Sequence, residues 1–82
     1  MSANPELQSS FFATLSALLS VPQEQLNAQS SRHTLPAWDS LKHMHLMLAL
    51  EEKFGIEFDD AELAELGSAQ AILDALALKL AP

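Results

Sequence analysis

Between Leu41 and Phe54, apolar side chains occur on almost every side of a helical wheel, and the stretch stops at Gly55. A helix that is apolar nearly all round has to touch several neighbours, so it is expected at the centre of its fold. Its start is predicted at Asp39 or Ser40 and its end at Gly55, a residue suited to the left-handed conformation past a helix terminus. Two stripes compete for the core. Leu46, Met47, Leu50 and Phe54 carry no charge, whereas Leu41, Met44 and Leu48 are interrupted by His45 and Glu52. Burying Glu52 or a charged His45 carries a desolvation cost, so the uncharged stripe is assigned inward and Leu41 and Leu48 are left at least partly exposed.

The flanking sequence supplies the neighbours. A first helix is predicted from an N-cap at Asn4, with Pro5 at its first position and Glu6 beside the positive end, to about Leu19. Leu7, Phe11, Leu15, Leu18 and Leu19 share its inward face. Residues 20–38 show no period and carry Pro22, Asn27, Ser30, Ser31 and Pro36. They read as a long loop pinned by Val21, Leu26 and Leu35, and a loop that long in a small domain is usually functional. Ile56 and Phe58 fold back before a short helix capped by Asp59 or Asp60 and ended by Gly67, with Leu63 and Leu66 inward. Ser68 caps a last helix in which Ala69, Ile72, Leu73, Leu76 and Leu80 face the core and Lys79 sits near the negative end. Strand patterns and internal repeats are absent. The expected fold is all-α: a four-helix bundle of three longer helices and a short third, with a long loop between helices 1 and 2.

Size and charge narrow the function. Eighty-two residues, 49% of them hydrophobic, make a single domain over 1–82 with a modest core. Eleven acids against four Lys and Arg give a net charge of -7, which repels phosphate backbones and anionic membranes and attracts basic protein surfaces. Neither nucleic acid nor membrane is an expected partner. No apolar run approaches the roughly 18 residues of a membrane span and no secretory signal is evident, so a cytoplasmic location is expected. With no cysteine there is no disulfide and no thiolate zinc site. His43 and His45 lie about 200° apart around their helix and cannot converge on one ion. Asp59, Asp60, Glu62 and Glu65 lack the spacing of a calcium loop and are explained by capping and a solvated face, so no metal is expected. Met44 and Met47 read as core filler.

The sharpest local feature is Trp38-Asp39-Ser40-Leu41, where the long loop meets the central helix. Ser40 reads first as a cap or first-turn serine. Unpaired N–H groups and the positive dipole end at a helix start would also stabilise a phosphate placed on that hydroxyl. A small enzyme ranks last, because no base stands in an evident relation to Ser40 and the chain is too short to enclose a sizeable pocket. Trp38 is expected to pack near His43 as a hydrophobic staple, and His43 reads as a satisfied boundary histidine.

The stretch Trp38 to Ile56, WDSLKHMHLMLALEEKFGI, resembles the attachment helix of the acyl carrier protein family, which includes peptidyl and aminoacyl carriers. The likeness combines Asp39-Ser40-Leu41 with Leu46, Leu50, Glu51, Glu52, Phe54, Gly55 and Ile56, and helix order extends it over nearly all of residues 5–80. It implies an acyl-carrier-like bundle and a stand-alone, non-catalytic carrier whose Ser40 receives 4′-phosphopantetheine from coenzyme A through a phosphopantetheinyl transferase. The arm's thiol would hold acyl or aminoacyl groups as thioesters, so the reactive sulfur of a cysteine-free chain would be borrowed. Asp39 resembles the family acid that caps the helix and assists the transferase. The outward line of the following helix, here Leu41, Lys42, His45, Leu48 and Glu52, corresponds to the surface read by partners: an activating ligase or acyltransferase, then downstream biosynthetic enzymes. A monomer is expected.

Two positions depart from carriers of fatty-acid synthesis, which typically place acids where this chain has Lys42 and His45. Acidity is concentrated later, with seven acids against one lysine from Glu51 to Glu65, a local balance of -6. That distribution favours a dedicated pathway. The runner-up is a helical adaptor that binds a partner through Leu41 and Leu48 and leaves Ser40 unmodified.

Overall fold

A computed structural model describes residues 5–81. It is an all-α four-helix bundle: α1 Pro5–Leu19, α2 Ser40–Phe54, the short α3 Asp60–Glu65 and α4 Ala69–Leu80, with a 3₁₀ turn at Gln23–Gln25 in the long loop. The cap expected at Asn4 lies outside the described residues. α1 buries Leu7, Phe11, Leu15 and Leu19, and Leu18 packs half-buried against the same core.

The central helix settles its two stripes as its charges dictate. Leu46, Met47 and Leu50 are fully buried and Phe54 packs at the core's edge, while Leu41 is 63% and Leu48 56% exposed. Met44, expected as filler, is 40% exposed. It lies three and four residues from Leu41 and Leu48, on the face that the charged positions keep outside. Asp39 is the N-cap of α2, its Oδ1 accepting from the Lys42 amide at 2.9 Å.

α1 and α2 end alike. Ser20 (φ 57°) and Gly55 (φ 65°) both adopt the left-handed conformation. The next amide reaches back five residues in each case, from Val21 to the Ser16 carbonyl at 3.3 Å and from Ile56 to the Glu51 carbonyl at 3.2 Å. These bonds satisfy carbonyls that a helix terminus leaves open.

A reciprocal capping box starts α3: the Glu62 amide donates to Asp59 and the Asp59 amide donates to Glu62. Lys79 on α4 ties this turn down through a 2.9 Å ion pair with Glu62 and lies 5.5 Å from the Phe58 ring centroid. Ser68 caps α4, accepting from the Ala71 amide, and Ala69, Ile72, Leu73 and Leu76 are buried. Leu80, expected on that face, is 42% exposed. It is the last residue of α4 and lies one turn beyond the final buried position.

The long loop is laid along the start of α4. The Arg32 amide donates to the Gly67 carbonyl at 3.0 Å, Ala69 to Ser30 at 2.8 Å and Gln70 to Ala28 at 3.1 Å. Leu26 and Trp38 are buried, with Val21 and Leu35 half-buried. The loop is therefore a fixed wall against which α2 begins.

Candidate functional site

Ser40 is the first residue of α2 and is exposed. Because Asp39 supplies the cap, the Ser40 hydroxyl is not consumed by capping. The first amides of a helix have no intrahelical acceptor, and the Asp39 carboxylate takes only that of Lys42, which leaves the earliest N–H groups of α2 facing the serine's surroundings.

Trp38 and His43 brace this helix start. The Trp38 indole N–H donates to His43 Nδ1 at 3.0 Å, and His43 Nε2 lies 3.1 Å from the Leu63 carbonyl oxygen. An indole can only donate, so Nδ1 accepts and Nε2 carries the proton to Leu63. His43 is 2% exposed, a core residue where the sequence suggested a boundary one. Burial holds its pKa below the usual histidine value; the bond to Leu63 opposes this shift and the Arg32 charge adds to it. A neutral imidazole thus joins the α2 start to α3.

Arg32 is the element that sequence reasoning missed. Its Nη2 donates to Ser40 Oγ at 2.9 Å. Its Nε is shielded from solvent with no hydrogen-bond partner. A Cβ built on Gly67 would lie 3.8 Å from Arg32 Cδ, which places the aliphatic stem over the α3–α4 junction. The available signal was compositional: Arg32 is the only arginine of a chain with eleven acids, and it stands in the loop marked as functional. Arg32, His33, Trp38, Asp39, Ser40 and Glu65 are among the residues lining an open cleft of about 800 Å³.

These groups define what the site can do. A guanidinium donates and does not accept protons, so the hydroxyl's side-chain partner cannot serve as its base. Helix-start amides and a guanidinium instead suit an anion held on the hydroxyl, and the donor set fits a phosphodiester.

On α2, Leu41, His45, Leu48 and Glu52 are exposed. Lys42 is half-buried, with its ammonium donating to the Leu18 carbonyl at 3.1 Å. Its charge therefore caps the C-terminal end of α1. The three histidines do not converge: His43 faces inward, and His33 and His45 are exposed on different elements. Among the described residues no helix is long and apolar enough to cross a membrane.

Comparison with known proteins bears on the same region. A family model described as "Phosphopantetheine attachment site" matches residues 10–76. An acyl carrier protein of Thermosynechococcus vestitus (strain NIES-2133 / IAM M-273 / BP-1) is 38% identical over 63 residues, which cover 77% of this chain and 78% of that protein.

Proposed function

The chain belongs to the acyl carrier protein family, and from that premise we propose that Ser40 Oγ is the atom that bears its prosthetic arm. As a family member it is a non-catalytic carrier with covalent 4′-phosphopantetheine, served by a phosphopantetheinyl transferase and acyl-processing enzymes. The observation that carries the reading is an exposed first-turn hydroxyl, spared from capping by Asp39 and met by a guanidinium.

In the loading step, Ser40 Oγ bonds to the phosphorus that bears the pantetheine in coenzyme A. The phosphoanhydride bond breaks, 3′,5′-ADP leaves and the hydroxyl proton passes to solvent or to the transferase. Arg32, the side chain hydrogen-bonded to Ser40, cannot take that proton, which agrees with catalysis residing in the transferase. The attached group supplies a thiol that holds acyl or aminoacyl cargo as a thioester. Asp39 fixes the helix start while presenting an exposed acid to the modifying enzyme.

Partner enzymes read α2 through the exposed Leu41, His45, Leu48 and Glu52, apolar contacts edged by charge. Lys42 contributes at the margin of that face, since its ammonium is held on α1. A lysine and a histidine at the positions where fatty-acid carriers place acids favour service in a dedicated biosynthetic pathway with its own ligase or acyltransferase. The adaptor alternative has no observation of its own, because the same exposed leucines serve the carrier.

Intact mass after incubation with coenzyme A and a broad-specificity transferase tests the assignment. A phosphopantetheine increment is expected in the native chain and absent in Ser40→Ala; an increment that persists in Ser40→Ala overturns it. In the same assay Leu48→Ala is expected to slow loading several-fold at subsaturating carrier, and an unchanged rate removes Leu48 from the docking face.

A further inference from the structure

We propose that Arg32 is a positioning residue for the prosthetic arm: its guanidinium grips the phosphodiester on Ser40 and fixes the direction in which the arm leaves the start of α2. The proposal rests on Ser40 being the attachment site.

The guanidinium already touches the oxygen to be modified, at 2.9 Å through Nη2. Nε lies on the same edge of the planar group as Nη2, and it is the buried donor without an acceptor. That edge is the fork with which arginine takes two oxygens of one phosphate. In the unmodified chain half of the fork is engaged and the other half is an unsatisfied buried N–H, an unfavourable state that an added acceptor relieves.

Charge points the same way. The chain carries eleven acids, yet Arg32 forms no ion pair with a carboxylate among the described residues, whereas Lys79 pairs with Glu62. Asp39 and Glu65 border the same cleft, so an anion on Ser40 shares it with two carboxylates, and Arg32 supplies the opposing charge. The side chain is also held ready: its own amide is bonded to the Gly67 carbonyl at 3.0 Å and its stem lies over Gly67. An arginine fixed at both ends of its stem gives up little freedom on taking a ligand.

Because the chain has one arginine, its side-chain Nε–H gives a single NMR resonance in the native protein. Conversion from the apo to the phosphopantetheinylated form is expected to shift that resonance and slow its exchange with solvent. The ³¹P resonance of the modified protein is expected to move in Arg32→Gln and to return partway in Arg32→Lys. A thermal-unfolding cycle separates positioning from mere structural support. A structural role lowers the apo and modified forms of Arg32→Gln equally. A grip on the phosphate makes the change in Tm on modification less favourable in Arg32→Gln than in the native chain, by about 5 °C. If mass shows Ser40 modified while the Nε–H resonance, the ³¹P resonance and the cycle are all indifferent, Arg32 has no such role and the attachment assignment stands. If Ser40 gains no mass, the attachment assignment fails and the proposal with it. The native resonance alone decides the matter should Arg32→Gln not fold.

Discussion

At the scale of single residues, His43 converts a packing choice into a pH dependence. Protonation would place an N–H on Nδ1, against the Trp38 indole N–H that now donates to it, and burial already holds the pKa below its usual value. The unfolded chain binds its histidine proton near the ordinary pKa and the folded chain only at lower pH. Below that ordinary value the unfolded state binds more protons, so stability falls as pH drops until the folded-state pKa is passed. Urea midpoints are therefore expected to decline from pH 7.5 to pH 5.5, with a flatter profile in His43→Gln, where His33 and His45 remain. A native profile that is flat over this interval overturns the account. The residues around Ser40 were unequally legible. Asp39 and Ser40 could be placed because capping is local and the helix start is signalled within a few positions. Arg32 could not, since its approach to Ser40 is made through an aperiodic loop whose course is set by α4. The sequence places His43 at the boundary because nothing in it says how completely Trp38 and Leu63 enclose the ring.

At the scale of elements, the matched ends of α1 and α2 form an internal comparison. Both need a residue at positive φ, and α2 provides glycine where α1 provides serine. A side chain at left-handed φ costs roughly 1–2 kcal/mol, partly offset by the greater freedom that glycine loses on folding. Ser20→Gly is thus expected to stabilise the fold by about 0.5 kcal/mol and Gly55→Ala to destabilise it by about 1 kcal/mol. A Cβ at Gly55 meets nothing within 4 Å, so the second change isolates backbone conformation from packing. Denaturant midpoints check both, and a Ser20→Gly variant less stable than the native chain contradicts the argument. Helix limits were readable because caps and terminators are short-range. The exposure of Met44 and Leu80 is not readable in the same way, because burial depends on where neighbouring elements begin and end.

At the scale of the whole molecule, charge and topology divide the labour. Acids from Glu51 to Glu65 dominate one stretch of the chain, whereas its one arginine is held at the root of α2 by the loop and the α3–α4 junction. The bundle itself was legible from helical periodicity and punctuation. The stitching of residues 28–32 to residues 67–70 was not, for it consists of backbone hydrogen bonds that leave no mark on side-chain pattern. That stitching sets an order of events in the life of the protein. A chain still emerging from the ribosome exposes its serine while the residues that steady Arg32 are still inside the exit tunnel, so arming of the carrier belongs after translation. Stalled nascent chains treated with transferase and coenzyme A are expected to gain the arm only once α4 has cleared the exit tunnel, and efficient modification of shorter ones would show that the hydroxyl is recognised without its surroundings.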